Sequence, residues 1–243
     1  MSAIIEYLGV SKRYGENTVL DGINLSIEPG ELVVFIGRSG GGKTTALEMI
    51  NAMVIPDEGR IVVRGTDVAS ADPIALRRSI GYCVQNTSLF PHMTIAKNIS
   101  YVPLLTGVKP DVRMARAREL LELVGLPEDC LKRYPRQLSG GEAQRVGVAR
   151  ALAADPEIVL MDEPFGATDN ITRGGLQDEL VKIHARLGKT IVFVTHDLGE
   201  AKKIGSRIVL FNCGRIEQAG TFSEFVDNPA NDFVRLFMSG AAV

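Results

Sequence analysis

Short apolar runs separated by helix-like segments dominate the pattern of hydrophobic and polar positions along this 243-residue chain. Residues 32–36 and 158–161 are entirely apolar, and 189–194 ends in four apolar residues. Such runs predict strands that are buried on both faces of a mostly parallel sheet. A further strand is expected over 80–84. Helical patterns lie between these strands, so the chain is predicted to have an α/β core.

Two other parts of the chain predict antiparallel strands. Residues 4–27 alternate short apolar runs with turn residues, and 59–65 is a further strand between turns. Near the other end, two apolar runs flank Asn212-Cys213-Gly214 and predict a hairpin. We therefore expect an N-terminal antiparallel β subdomain beside the parallel core.

The stretch from Asn86 to Ala154 lacks strand patterns and is predicted to be an inserted α-helical subdomain. Helical periodicity covers 95–105 and 111–124. Residues 1–85 and 155–243 would form the catalytic core of a single domain. Basic side chains in the insert could contact lipid headgroups or a partner, although a solvated helix face is the commoner reason for such a cluster.

Composition narrows the class of protein. The hydrophobic share of 45%, the charged share of 23% and a net charge of −2 are typical of a soluble globular protein, and they argue against general nucleic-acid binding. No apolar run approaches the roughly 20 residues that span a bilayer, and the N-terminus lacks a secretory pattern. Cys83, Cys130 and Cys213 fit no zinc or redox spacing and are expected to be reduced, which points to the cytosol.

The run Gly37-Arg38-Ser39-Gly40-Gly41-Gly42-Lys43-Thr44 matches the spacing of the phosphate-binding P-loop. Glycines let backbone N–H groups surround an anion, and the following helix adds a positive dipole end. Lys43 would reach the β- and γ-phosphates, and the Thr44 hydroxyl would bind Mg²⁺. A glycine turn that only caps a helix is the alternative. The strand before the run and the helix after it favour nucleotide binding.

A second glycine pair begins a later helix, in Leu138-Ser139-Gly140-Gly141-Glu142. Ser139 and Glu142 have the spacing of a capping box. Capping does not explain Gly140 and Gly141, since each glycine costs about 1 kcal/mol relative to alanine inside a helix. The pair is expected where an anion must approach the backbone closely, so this segment is predicted to contact a second phosphate.

Polar side chains follow three other buried strands. Asp162 and Glu163 end one strand, and Gln85 and His196 follow two others. Asp162 has the position of a Mg²⁺ ligand, and Glu163 could orient or deprotonate an attacking water. Because ligands bind at the carboxyl ends of strands in open α/β sheets, these residues and the P-loop predict one site. Tyr14 could stack on a nucleotide base or be a half-buried strand aromatic, and spacing alone favours neither.

Taken in order, these motifs resemble the ATP-binding subunit of ABC transporters over nearly the whole chain. Tyr14 would be the aromatic residue of the A-loop, residues 37–45 with Thr45 would be the Walker A loop, and Gln85 would belong to the Q-loop. The signature would be 138–142 and the Walker B pair Asp162-Glu163. Asp169 would be the D-loop aspartate and His196 the switch histidine.

The resemblance implies the ABC ATPase fold, ATP and Mg²⁺ as ligands, and hydrolysis. Its catalytic residues would be Lys43, Gln85, Glu163 and His196, and its metal contacts would be Thr44, Gln85 and Asp162. Two copies, or one copy and a close relative, would sandwich ATP. The residues that contact the nucleotide bound by the other copy would be Ser139, Gly140, Gly141, Glu142 and Asp169.

The same resemblance implies a place on the cytoplasmic face of the membrane. The loop around Leu89, Phe90 and Met93 would receive a short helix from an integral-membrane permease. A solute-binding protein would be an indirect partner, and no nucleic acid would be involved.

A closer likeness, to importers of glycine betaine, choline, carnitine or proline, is carried by Leu89-Phe90-Pro91-His92-Met93-Thr94-Ile95, Leu176-Gln177-Asp178-Glu179-Leu180 and the stretches 161–166 and 228–234. Some members of that osmoprotectant branch carry C-terminal CBS domains, which are not expected here. Departures from the family pattern are Gly41 for serine, Glu142 for glutamine, Thr168 before Asp169, Asn170, and Gly174-Gly175.

Two other functions remain open at the level of sequence. One is a soluble ABC ATPase that acts in assembly or repair and moves no solute. The chain lacks the long coiled coils and the double motif set typical of such proteins. The other is a nucleotide-binding module without turnover, against which Glu163 and His196 argue.

Overall fold

The computed structural model describes residues 2–85, 88–166 and 170–240, with the side chains of 170–172 excepted. The chain divides into two compact units. The first takes in the residues up to Arg77 and from Gly188 onward, and the second is Arg78–Leu187. The narrower helical insert expected from 86 to 154 lies within the second unit, and its boundaries stay a prediction.

The described residues form ten strands, which are β1 (Ile5–Tyr14), β2 (Asn17–Ile27), β3 (Leu32–Gly37), β4 (Glu58–Val63), β5 (Thr66–Asp67), β6 (Ile80–Cys83), β7 (Ile158–Asp162), β8 (Thr190–Val194), β9 (Arg207–Asn212) and β10 (Arg215–Gly220). They also form ten α-helices, which are α1 (Lys43–Ile50), α2 (Pro73–Arg78), α3 (Ile95–Ile99), α4 (Tyr101–Leu105), α5 (Pro110–Leu123), α6 (Gly140–Leu152), α7 (Asn170–Leu187), α8 (Leu198–Ile204), α9 (Phe222–Asp227) and α10 (Asp232–Met238).

The strands of the first unit pair in two separate groups. One is antiparallel, in the order β2-β1-β4-β5, as the sequence of the N-terminal segment predicts. In the other, β3 pairs in parallel with both β8 and β9, while β10 pairs antiparallel with β9. The six residues of β3 are all buried, which confirms that its apolar run marks a strand covered on both faces.

The second unit combines a parallel strand pair with helices. β6 and β7 pair in parallel with Cys83 opposite Met161. The prediction of one helix over 95–105 was wrong, because the structure has two helices, α3 and α4, with Ser100 between them. Pro103 explains the break, since it cannot donate a backbone hydrogen bond to the preceding turn. The Ser100 hydroxyl also donates to the Ala96 carbonyl at 2.6 Å.

The three cysteine thiols are free, as expected. Cys83 and Cys130 are buried, whereas Cys213 is exposed at the turn between β9 and β10. Burial raises the pKa of Cys83 to about 11, so this thiol stays neutral at physiological pH. In the part of the chain that the structure describes, no helix combines the length and apolarity needed to cross a bilayer.

Gly81→Ala and Gly175→Ala are expected to have opposite effects on stability. A Cβ at Gly81 in β6 would lie 2.3 Å from the Ala151 carbonyl oxygen of α6, so alanine should destabilise the protein by about 1–3 kcal/mol. A Cβ at Gly175 in α7 would meet nothing within 4 Å, and alanine there should stabilise by about 0.5–1 kcal/mol. Urea unfolding of both variants measures the difference. Equal stability of the two variants would contradict the packing of β6 on α6.

Candidate functional site

The loop between β3 and α1 is shaped by glycines that no other residue could replace. Gly37 has φ 146°, and a Cβ there would lie 2.1 Å from the Phe211 carbonyl oxygen. Gly42, the N-cap of α1, has φ 95°, and its Cβ would lie 2.6 Å from Leu20 Cδ2 and 2.7 Å from the Val19 oxygen. The loop therefore holds its shape against the backbone of β2 and β9, both in the first unit.

The Lys43 side chain folds back over this loop. The residue is 6% exposed, and its ammonium donates to the carbonyl oxygens of Gly37 and Arg38, each at 2.8 Å. Around it, Arg38, Ser39, Gly40 and Thr44 are exposed, and Thr45 is half-buried. A cation beside a helix N-terminus, with exposed loop residues around it, is an arrangement suited to an anion.

His196 lies at the same edge of the sheet as the P-loop. It is exposed and follows β8, whose last residue pairs with Phe35 of β3. The backbone N–H of Thr195 donates to the Phe35 carbonyl at 3.1 Å. Because β3 and β8 are parallel neighbours, the structure brings the P-loop and His196 to one edge within the first unit.

Tyr14 ends β1 with 52% of its surface exposed, so its ring is open to a stacking partner. The Lys12 ammonium lies 5.5 Å from the ring centroid. Lys12 also forms an ion pair of 2.8 Å with Asp57, which accepts the Arg13 backbone N–H at 2.7 Å. Both bonds lower the pKa of Asp57, and the bond from Lys12 has the larger effect.

In the second unit, the ends of β6 and β7 bring Gln85 and Glu163 together. The Gln85 amide donates to Glu163 Oε2 at 3.1 Å, and Asp162 lies half-buried at the end of β7. Glu163 adopts φ 41°, a left-handed conformation that is uncommon for residues other than glycine. Such backbone strain concentrates at functional sites, and here it falls on the predicted catalytic carboxylate.

The capping box predicted at the start of α6 is present. The Ser139 N–H donates to Glu142 Oε2 at 2.7 Å, and the Glu142 N–H donates to Ser139 Oγ at 3.3 Å. The hydrogen bond from the Ser139 N–H has the largest effect in lowering the pKa of Glu142. The Ser139 hydroxyl and the nearby Arg133 lower this pKa as well. A Cβ at Gly140 would meet nothing within 4 Å, so packing within the chain does not require glycine there.

The loop expected to receive a permease helix is half-buried at Leu89, Phe90 and Met93. Asn98, a residue that the sequence analysis missed, holds this loop and is completely buried. Its side chain accepts the Phe90 N–H at 2.8 Å and donates to the carbonyls of Phe90, Met93 and Thr94 at 3.1–3.2 Å. In the sequence it is one polar residue in a short helical pattern, which gives no hint of this role.

A groove of about 390 Å³ adjoins this loop. Met93, Tyr101, Leu104 and Met114 supply much of its apolar lining, with Lys97 and Arg113 as its charged residues. Asp169 and Thr168, the remaining residues of the predicted D-loop, lie outside the described residues.

The comparisons with known proteins agree on one family. The model of the ABC transporter family matches residues 20–166. A glycine betaine/carnitine/choline transport ATP-binding protein of Bacillus subtilis strain 168, OpuCA, is 53% identical over 94% of this chain and 60% of its own length. A glycine betaine uptake system ATP-binding protein of Escherichia coli strain K12, YehX, is 47% identical over 96% of this chain and 76% of its own length. The chain thus spans about three-fifths of the OpuCA relative.

Among solved structures, the ATP-binding cassette MJ0796, determined as a dimer in a post-hydrolysis state with ADP and Pi, superposes with a TM-score of 0.80. The two chains are 34% identical, and the match covers 89% of this chain and 98% of that one. The expected cassette fold, with its parallel and antiparallel sheets, is therefore confirmed.

Glu142→Gln should remove a pH-dependent part of the stability. Because the folded pKa of Glu142 is lowered, its contribution is complete above the unfolded value of about 4.3 and is lost as the pH falls through the folded pKa. Glutamine still accepts the Ser139 N–H but does not titrate. Urea unfolding of both proteins between about pH 3.5 and 6 should therefore show wild type losing more stability on acidification. Parallel pH profiles would contradict this role of the carboxylate.

Proposed function

This chain belongs to the ABC transporter family, and we propose that it is the subunit that binds and hydrolyses ATP to drive uptake of a small compatible solute. The observation that carries the ATP-binding part of the proposal is the position of Lys43. Its buried ammonium is held over a glycine loop by two carbonyl oxygens of 2.8 Å each. Phosphate oxygens of ATP would take over these contacts, since a negatively charged acceptor binds an ammonium more strongly than a carbonyl does.

Residues of the P-loop would hold the nucleotide. Backbone N–H groups of residues 37–45 would surround the phosphates, and the exposed Tyr14 ring would stack on the base. The exposed Thr44 hydroxyl, the Gln85 amide oxygen and the Asp162 carboxylate are hard oxygen donors of the kind Mg²⁺ prefers. When bound, Mg²⁺ would neutralise charge on the phosphates.

Glu163 would act as the general base toward the attacking water. Its hydrogen bond to Gln85 fixes one carboxylate oxygen, and a carboxylate held beside the nucleotide could take a proton from the attacking water. His196 would contact the γ-phosphate or the water from the edge that it shares with the P-loop. These roles require the two units to act together on one nucleotide, which is part of the proposal.

A second copy would complete each site. The residues that would approach the nucleotide of the partner are Ser139, Gly140, Gly141, Glu142 and Asp169. The open space beside Gly140 supports this, because an approaching phosphate would need the room that a Cβ would fill. The dimeric state of the MJ0796 cassette supports the same arrangement.

The permease would dock at the loop of Leu89, Phe90 and Met93, which Asn98 holds in shape. Its short helix would place apolar residues in the adjoining groove, and an acidic residue on it would suit Lys97 and Arg113. The chain would then lie on the cytoplasmic face of the membrane as a peripheral subunit. The names of its OpuCA and YehX relatives favour glycine betaine, carnitine or choline as the solute, delivered by a binding protein.

Glu163→Gln should bind ATP normally, lose hydrolysis by at least about 100-fold and accumulate an ATP-bound dimer, because the amide cannot accept the proton of water. Phosphate release and size-exclusion chromatography with and without ATP measure both effects. Glu157→Gln is the matched control, since Glu157 is exposed at the opposite end of β7. Unchanged turnover in Glu163→Gln would remove this residue from the base role.

Gentle affinity purification of the chain from its native membranes should recover an integral-membrane permease and a solute-binding protein. The binding protein should then bind glycine betaine, carnitine or choline in calorimetric titration. Recovery of soluble partners alone would contradict the transport function and leave the ATPase in place. A binding protein that prefers a different solute would overturn only the choice of substrate.

A further inference from the structure

The turn that carries His196 is fixed by two buried polar side chains, Thr195 and Glu200. Thr195 is 2% exposed and Glu200 is 6% exposed. The Thr195 hydroxyl donates to Glu200 Oε2 at 2.5 Å. A carboxyl group is costly to bury, so a short bond of this kind at a buried position calls for a reason beyond helix formation.

Capping of α8 does not supply that reason. Asp197 is the N-cap of this helix, and its Oδ1 accepts the N–H groups of Gly199 at 2.7 Å and Glu200 at 3.1 Å. The Glu200 side chain instead points back to the residue before His196. A glutamate exposed on the first turn would favour the helix dipole equally well without being buried.

The Thr195 hydroxyl connects both sides of His196. Its proton is directed to Glu200, so its oxygen is oriented to accept the Asp197 N–H at 3.0 Å. The Thr195 N–H donates to the Phe35 carbonyl of β3, two residues before the P-loop begins at Gly37. The backbone before and after His196 is thereby fixed to the strand that leads into the P-loop.

We propose that Glu200 is a positioning residue, which acts through the Thr195 hydroxyl to hold His196 at the γ-phosphate. The inference rests on the proposed ATPase function and adds two residues to it. Glu200 is buried beneath the turn, and its proposed role involves no contact with the nucleotide. Its contribution is to the orientation of the histidine, so it should affect turnover and leave ATP binding unchanged.

Glu200→Ala should lower kcat for ATP hydrolysis by about 10- to 100-fold with little change in KM, since small displacements of a catalytic group cost rates of this order. Glu200→Gln should stay within about 3-fold of wild type, because its amide oxygen can accept the same hydroxyl proton. Thr195→Ser should likewise be tolerated. Equal impairment of Glu200→Gln and Glu200→Ala would overturn the proposal.

Glu224→Ala is the matched control. Glu224 lies in the first turn of α9 and accepts the Thr221 hydroxyl at 3.1 Å, so it makes the same kind of bond where no histidine follows. Its removal should leave kcat unchanged. Thermal unfolding of both alanine variants reports the cost to stability, and a kcat loss of similar size in Glu224→Ala would show that weakened caps alone slow turnover.

The decisive measurement is made in a His196→Ala background. If Glu200 acts through His196, adding Glu200→Ala to His196→Ala should cause no further loss of kcat. A further loss as large as in the wild-type background would overturn the proposal in favour of a structural role. Failure of the ATPase function is distinguishable, because wild type would then hydrolyse no ATP and His196→Ala would have no effect to compare.

Discussion

The shape of the P-loop depends on one constraint, which is the direct contact of backbone with backbone around its glycines. A Cβ at Gly37 would lie 2.1 Å from an oxygen of β9, and one at Gly42 would lie 2.7 Å from an oxygen of β2. The turn between β9 and β10 is in turn bound to β2, where the Asp21 N–H donates to the Gly214 carbonyl at 2.9 Å and Arg215 pairs with Asp21 at 2.6 Å. Segments almost 200 residues apart in sequence thus enclose the P-loop.

That enclosure explains how a buried lysine is tolerated. An isolated ammonium in a protein interior costs several kcal/mol unless it is hydrogen-bonded. Here the loop folds so that the carbonyls of Gly37 and Arg38 both accept from Lys43. These carbonyl oxygens accept hydrogen bonds from the ammonium group that would otherwise bind a phosphate. The lysine would therefore need little rearrangement when an anion binds. Preorganisation of this kind conserves binding energy for the reaction itself.

The sequence predicts those features that depend on local chemistry. Apolar runs, the capping boxes at Ser139 and Thr221, and the glycine loop all follow from residues close together in the chain. The break in the helix over 95–105 was also within reach, because Pro103 is visible in the sequence. The roles of Asn98 and Glu200 were not, since an asparagine or a glutamate in a helical pattern is ordinarily a surface residue. Their burial results from tertiary packing, which periodicity does not specify.

The glycines differ in whether packing within the chain requires them. At Gly37, Gly42 and Gly81 a side chain would collide with the chain's own backbone or side chains, so internal packing accounts for glycine at each. At Gly140 it would collide with nothing, and the helix would gain from alanine. Internal packing therefore does not account for Gly140, which supports the proposal that another molecule contacts the start of α6. Glycine at Gly37 and Gly42 is, by contrast, accounted for by packing within the first unit.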